Sequence, residues 1–297
     1  MAHLRSVSCG YSSGMATDRE YCADVAAAEG EALGGTADAV DAWILLEYLP
    51  AWGAKATTDN ALDAATRAWL SGLASTASER GVKMRLQFIR QPETDRTGVT
   101  LMLAVDGRLH RVDAPDYEAL TRQPYDTVQN APTEAAAHYF VCTNGQRDVC
   151  CARFGLPTYA ALRERVGARV WQTTHVGGHR FAPNVLALPQ AALYGRVQPH
   201  DVDAFVTAID SGRLAAPWLR GRTRYAPEIQ AAEVALAQRG LDTSGVASTS
   251  QTDGGIEVRF GAHAVVVRRG EPRAVLASCG EERKPVAPWI VSEPRVR

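Results

Sequence analysis

Apolar and polar positions switch between two periods along the chain, and the switches predict its elements. Residues 42–49, A-W-I-L-L-E-Y-L, form a short apolar run bounded by turn residues, which predicts a strand buried within a covered sheet. Over 60–80 the apolar positions Leu62, Ala65, Trp69, Leu70, Leu73 and Ala77 fall at helical spacing, and Gly81 supplies a stop. V-K-M-R-L-Q-F-I-R at 82–90 alternates apolar with long basic residues, as a strand with one solvated face does. V-T-L-M-L-A-V at 99–105 and R-L-H-R-V at 108–112 flank an Asp-Gly turn, the mark of a hairpin. The first half therefore reads β-α-β-β-β.

The second half repeats the theme. A strand at 138–143 leads through a Cys-rich loop to a helix near 156–167, then a strand at 170–175 and a Gly-Gly loop. Strands at 184–188 and 193–197 and a helix near 200–211 follow. A β-α-β unit with a hairpin and a helix is the plan of a thioredoxin-like fold, so the expected class is α/β (α+β), with two thioredoxin-like β-α-β-β units in tandem. Beyond these, P-W-L-R-G-R-T-R-Y-A-P at 217–227 reads as a linker. A helix at 227–240 and short strands at 256–260, 264–268 and 273–277 form a small α+β C-terminal region. The expected domains are 1–130, a thioredoxin-like half with a leading segment; 131–216, a second thioredoxin-like unit; and 217–297.

Composition narrows the class of partner. The 297 residues are 46% hydrophobic and 22% charged, an ordinary globular balance. Lys plus Arg number 32 against 33 Asp plus Glu, so no basic excess advertises a nucleic-acid surface. No apolar run approaches the roughly 18 residues of a membrane span, and MAHLRSVSCGYSSGMATDREYC lacks the apolar core of a signal peptide. A cytoplasmic location, with no membrane partner, is expected.

The candidate chemistry lies in the second half. Six cysteines fall at positions 9, 22, 142, 150, 151 and 279, and three of them cluster in C-T-N-G-Q-R-D-V-C-C. In a reducing compartment such a cluster points to metal binding or catalysis rather than to a disulfide framework. About 25 residues on, H-V-G-G-H places His175 and His179 four apart with two helix-breaking glycines between them. Cys142 sits at the end of one predicted strand and His175 at the end of the next parallel one, so both reach the same sheet edge. Cys151 and His179 are expected to close a site from the loops that follow, with Gly177 and Gly178 supplying positive φ. Two thiolates and two imidazoles suit either zinc or a [2Fe–2S] cluster. The eight residues between Cys142 and Cys151 exceed the 2–4 residue spacing usual for structural zinc and lean toward the wider cluster.

These residues also carry a resemblance. V-C-T-N-G-Q-R-D-V-C-C-A-R-F-G at 141–155 and W-Q-T-T-H-V-G-G-H-R-F-A-P-N-V at 171–185 closely resemble the sucrase/ferredoxin-like family of thioredoxin-like ferredoxins. G-E-A-L-G-G-T-A at 30–37 and W-I-L-L-E-Y-L-P-A-W-G at 43–53 look like its opening motifs, so the likeness runs from about Cys22 to about residue 212. Departures are small: Ala32 stands where the family more often has Pro, and Pro183 where it often has Gly. The resemblance implies a [2Fe–2S] cluster held by two cysteines and two histidines. Cys142 matches the first ligand position, Cys151, which precedes A-R-F-G, the second, and His175 and His179 the third and fourth. No sucrase activity is expected, since sugar hydrolysis ordinarily needs a placed carboxylate pair and none stands out.

Neighbouring residues have plainer readings. Cys150 is an alternative ligand, a vicinal disulfide partner or a small buried hydrophobe. Arg147 and Asp148 either bond the ligand loop and tune the cluster or form a solvated pair, and Arg180 offers positive charge to a redox partner. Trp171 reads as core. Cys9, Cys22 and Cys279, with His3, His110, His138, His200 and His263, read as structural or exposed. The expected function is a one-electron carrier, with proton coupling through the histidines if their second nitrogens reach solvent, serving a redox partner protein. The alternatives are a structural zinc module or a thiol-disulfide oxidoreductase, although the C-x-x-C redox motif is missing.

Overall fold

The structure, a computed structural model, describes residues 20–296; Cys9 and His3 lie outside the described residues. It begins with the two-turn helix α1 (Cys22–Ala28) and then the predicted first strand, β1 (Ala42–Glu47), all six residues of which are buried. Helix α2 (Ala64–Glu79) starts where the Asp63 side chain accepts the Thr66 N–H. β2 (Met84–Arg90) runs parallel to β1, and β3 (Val99–Val105) pairs antiparallel on its other side. The turn Asp106-Gly107, with φ of 51° and 70°, folds β4 (Arg108–Ala114) back onto β3. Two one-turn helices, α3 (Tyr117–Thr121) and α4 (Tyr125–Gln129), complete this half.

The second half has the same plan. β5 (His138–Cys142), α5 (Val149–Val166) and β6 (Val170–Thr173) form a parallel β-α-β unit. β7 (Val185–Leu188) pairs antiparallel with β5, β8 (Ala192–Tyr194) with β7, and α6 (Val202–Asp210) follows. Strand orders β2-β1-β3-β4 and β6-β5-β7-β8 are therefore equivalent, as two thioredoxin-like units require. The two units share one sheet, because β2 and β6 pair antiparallel through Ile89 with Thr173 and Arg90 with Gln172. Each half thus meets the other through its equivalent strand, the arrangement a local twofold produces.

This common sheet buries one face across both halves. Trp43, Leu45, Ile89, Met102, Phe140, Trp171, Leu186 and Leu193 pack there, and Cys142 and Cys151 belong to the same layer. Trp171 is core, as its strand position predicts.

Two local expectations are corrected. Residues 217–227 are not a linker: β9 (Leu219–Arg222) extends the sheet beside β8 and is almost wholly buried. Its arginines find partners inside; Arg222 pairs with Glu233, which is itself buried. Helix α5 begins at Val149, well before 156, so Cys150 and Cys151 lie in its first turn rather than in a loop. Asp148 caps it by accepting the Cys150 N–H at 2.9 Å. Gly155 and Pro157 both lie inside the helix.

Helix α7 (Pro227–Gln238) packs between β9 and a C-terminal antiparallel sheet of β10 (Ala247–Thr252), β11 (Gly255–Phe260) and β12 (His263–Arg269). A small hairpin of β13 (Arg273–Val275) and β14 (Lys284–Val286) precedes β15 (Trp289–Val291) and β16 (Arg295–Val296), which both pair with β12. Among the described residues no helix is long and apolar enough to cross a membrane.

Two helical glycines should respond to alanine with opposite sign. A Cβ on Gly155 would lie 2.2 Å from the Cys142 carbonyl oxygen, because α5 is pressed against the end of β5. Gly155→Ala should therefore destabilise by about 1–3 kcal/mol. Gly72 in α2 has open space around its Cβ position, so Gly72→Ala should stabilise by about 0.5–1 kcal/mol. Urea unfolding of the two variants measures both.

Candidate metal centre

β5 ends at Cys142 and the parallel neighbour β6 ends two residues before His175, which brings both side chains to one edge of the sheet. The first turn of α5 delivers Cys151 to the same place. His175 Nδ1 lies 3.9 Å from Cys142 Sγ and 3.6 Å from Cys151 Sγ, and the three ligand atoms all fall within 4.8 Å of one another. Both cysteines are buried, and His175 is partly open. His179 lies alongside, its ring centroid 5.1 Å from that of His175 and tilted by 34°. Its Nδ1 is buried without a hydrogen-bond partner, while its Nε2 is 3.7 Å from Asp148 Oδ2.

The loop between the histidines is shaped from outside. Gly177 and Gly178 adopt φ of 94° and 68°, the positive values that two glycines permit. A Cβ on Gly178 would stand 2.4 Å from an Arg220 guanidinium nitrogen. Arg220 is buried on β9 and donates to the Gly177 carbonyl at 2.9 Å, to Asn184 Oδ1 at 2.8 Å, to Thr36 Oγ1 at 3.0 Å and to the Thr36 carbonyl. Asn184 in turn donates to the Gly178 carbonyl, and Arg85 to the His175 carbonyl, each at 2.9 Å. Burial pushes the Arg220 pKa down to about 9, which leaves it cationic at neutral pH. No feature of L-R-G-R in the sequence marks Arg220 as the brace of a loop some forty residues earlier.

Contact with Cys151, together with His175 and the Val176 N–H, holds Cys142 well below the usual thiol range. Cys151 is pushed up by that same contact and by burial. Burial lowers His179, with the Asp148 carboxylate pulling the other way. Two sulfurs and a ring nitrogen facing both form one close group, and the second ring, with its orphaned buried Nδ1, lies beside that group rather than within it; the donor types are those a two-sulfur, two-nitrogen metal group uses.

Other site expectations are altered. Arg180 turns inward and forms an ion pair with Glu31 at 2.8 Å, which leaves little of its charge for a partner. Asp148 is buried rather than solvated: its carboxylate accepts the Cys150 and Cys279 N–H groups at 2.9 Å and Ser278 Oγ at 3.0 Å. Cys150 points away from Cys142. Its Sγ lies 3.6 Å from Cys22 Sγ and 3.3 Å from Cys279 Sγ, with Cys22 and Cys279 also 3.6 Å apart. Cys22 and Cys279, read from the sequence as structural or exposed, are 128 and 129 residues from Cys150, and no local spacing signals their meeting.

Comparison with known proteins places these features in context. The sequence model of a family described as sucrase/ferredoxin-like matches residues 33–221. A curated relative, altered inheritance of mitochondria protein 32 of Meyerozyma guilliermondii, is 36% identical over 92 residues. That match covers 27% of this chain and 33% of the relative, so the chain spans about a third of the relative's length. A solved thioredoxin-like [2Fe–2S] ferredoxin from Aquifex aeolicus is 22% identical, with a TM-score of 0.26 over 29% of this chain and 91% of that one. A cysteine-to-serine variant of the same ferredoxin gives a TM-score of 0.25 over 28% and 96%.

The brace on the histidine loop is open to test. Arg220→Met leaves the Gly177 and Thr36 carbonyls and Asn184 Oδ1 without their buried donor, and should destabilise by about 3 kcal/mol or more. Arg220→Lys keeps a cation but loses the planar fork, and should recover only part of the loss. Chemical denaturation compares the three proteins.

Proposed function

From the premise that the chain belongs to the sucrase/ferredoxin-like family, we propose that it is an iron–sulfur electron carrier whose [2Fe–2S] cluster is held by Cys142, Cys151, His175 and His179. The observation that carries this reading is the convergence of two buried thiols on His175 Nδ1, beside a His179 ring whose own buried Nδ1 has no partner. When bound, such a cluster supplies one-electron transfer. The residues around it set how readily it accepts the electron. Neutral imidazoles in place of two thiolates reduce the negative charge of the site, and the buried Arg220 cation adds positive potential from behind the loop. Both effects favour the reduced form, so the reading carries a reduction potential above the roughly −400 mV of plant-type ferredoxins.

Asp148, beside His179 Nε2, is placed to orient that ring as a carboxylate does behind a metal-bound histidine. The second ring nitrogens are also where uptake of an electron would be matched by uptake of a proton. Val176, buried in the same layer as Cys142 and Cys151, would exclude water from the inner side of the site, while a redox partner protein would approach from the side of the partly open histidines. The reading assigns Cys150 no part in the cluster.

Aerobic purification with a visible spectrum and iron and sulfide assays tests the proposal. About two irons and two sulfides per chain are expected; a colourless protein that cannot be reconstituted with iron and sulfide overturns the reading. Cys142→Ser and Cys151→Ser should lose the visible bands, whereas Cys150→Ser should keep them. His175→Cys or His179→Cys should retain a cluster and shift its potential downward in a redox titration.

A further inference from the structure

On the opposite side of the first turn of α5, three thiols that the electron-carrier reading leaves unused converge on one point. Cys22 comes from the start of α1, Cys150 from α5, and Cys279 from the loop between β13 and β14. Their Sγ atoms form a triangle with sides of 3.3, 3.6 and 3.6 Å. A carboxylate completes the group: the Asp148 oxygens stand 3.8 and 3.9 Å from Cys22 Sγ, and one ligand atom from each of the four residues falls within a 4.8 Å shell. Cys22 and Cys150 are buried.

From this geometry we infer that Cys22, Cys150 and Cys279, with Asp148 as fourth ligand, form a structural zinc site separate from the Cys142, Cys151, His175 and His179 group. A tetrahedral ion with zinc–sulfur bonds of about 2.3 Å has its sulfurs about 3.8 Å apart, so the triangle needs to open by only about 0.2–0.5 Å to admit one. Three soft sulfur donors select zinc over magnesium or calcium. With four protein ligands the site is closed, which marks it as structural rather than catalytic. A disulfide is the poorer account, since it would use two sulfurs and leave out the third, which stands at nearly the same distance from both. Binding would release the thiol protons to solvent.

The surroundings show what such an ion would hold. The apolar cluster here is small, built from Cys22, Ala23, Cys150, Ala182 and Leu276 with a few half-buried neighbours. A cluster of that size offers little burial to fix α1 and the β13–β14 connection onto α5. A metal would tie two segments remote in sequence to the helix that carries Cys151. It would also fix Asp148, whose Oδ2 lies 3.7 Å from His179 Nε2.

Metal analysis of the purified full chain, after growth with added zinc, should find about one zinc per chain in addition to any iron. Cys22→Ser and Cys279→Ser should each remove the zinc and leave iron content and visible bands in place. Cys142→Ser should do the reverse, so failure of the iron reading and failure of this one give different patterns. X-ray absorption at the zinc edge should show about three sulfurs near 2.3 Å and one oxygen near 2.0–2.2 Å. Should the serine variants not fold, alkylation and peptide mapping of the native protein serve instead: Cys22, Cys150 and Cys279 should resist the reagent until a zinc chelator is added. Zinc-free protein with these three thiols freely reactive overturns the site, as does a disulfide among them or zinc that departs with the Cys142→Ser change.

Discussion

The buried guanidinium of Arg220 is the point on which the site's geometry depends. Removing a cation from water costs several kcal/mol, and within the described residues no carboxylate forms an ion pair with this one. Four hydrogen bonds to carbonyl, amide and hydroxyl oxygens, with the Phe181 ring 5.0 Å from its centre, offset that loss. The partners come from separate places: Thr36 from the segment after α1, Gly177 from the histidine loop, Asn184 from the start of β7. The Arg220 carbonyl also accepts the Gly35 N–H. G-E-A-L-G-G-T-A at 30–37, a motif whose purpose the sequence alone does not disclose, is therefore part of the brace that shapes H-V-G-G-H. Gly178 is required on two counts, its φ and the guanidinium that occupies the position of a Cβ.

The duplicated plan matters for the same reason. The first thioredoxin-like unit contributes no cysteine or histidine to the group at Cys142, yet its edge strand supports the loop that does. Thr174, just before His175, accepts the Phe88 N–H through its hydroxyl and donates its own N–H to the Phe88 carbonyl, each at 3.0 Å. Arg85, also on β2, holds the His175 carbonyl. One unit thus carries the donor atoms while the other fixes the backbone that presents them. The seam between the units passes beside the site, so rigidity at the seam becomes precision at the histidines.

What the sequence disclosed follows from how local each signal is. Val99–Val105 is buried along its whole length and Asp106-Gly107 carries positive φ at both turn positions, so strand and turn were legible to the residue. Cys142 was legible as a strand end and the glycine pair as a turn of positive φ, while the strand expected to run to His175 stops at Thr173. The L-R-G-R strand was not, because whether an arginine is solvated or buried depends on acceptors supplied from elsewhere. The start of α5 was masked by Gly155, which looks like a breaker but is there because helix and strand touch. β10, A-S-T-S-Q-T, is almost wholly exposed and has no apolar period to read. The meeting of Cys22, Cys150 and Cys279 is purely tertiary.

The adjacent cysteines of α5 show how one turn of helix can serve two groups. Successive residues on a helix point about 100° apart, and Cys150 and Cys151 use that angle to face opposite sides. Cys151 turns to His175 and Cys142, Cys150 to Cys22 and Cys279. Each sulfur thus faces a group of its own. Asp148, which caps the helix, lies between the two groups and touches both. The cap that starts α5 therefore also sets the spacing between the two groups.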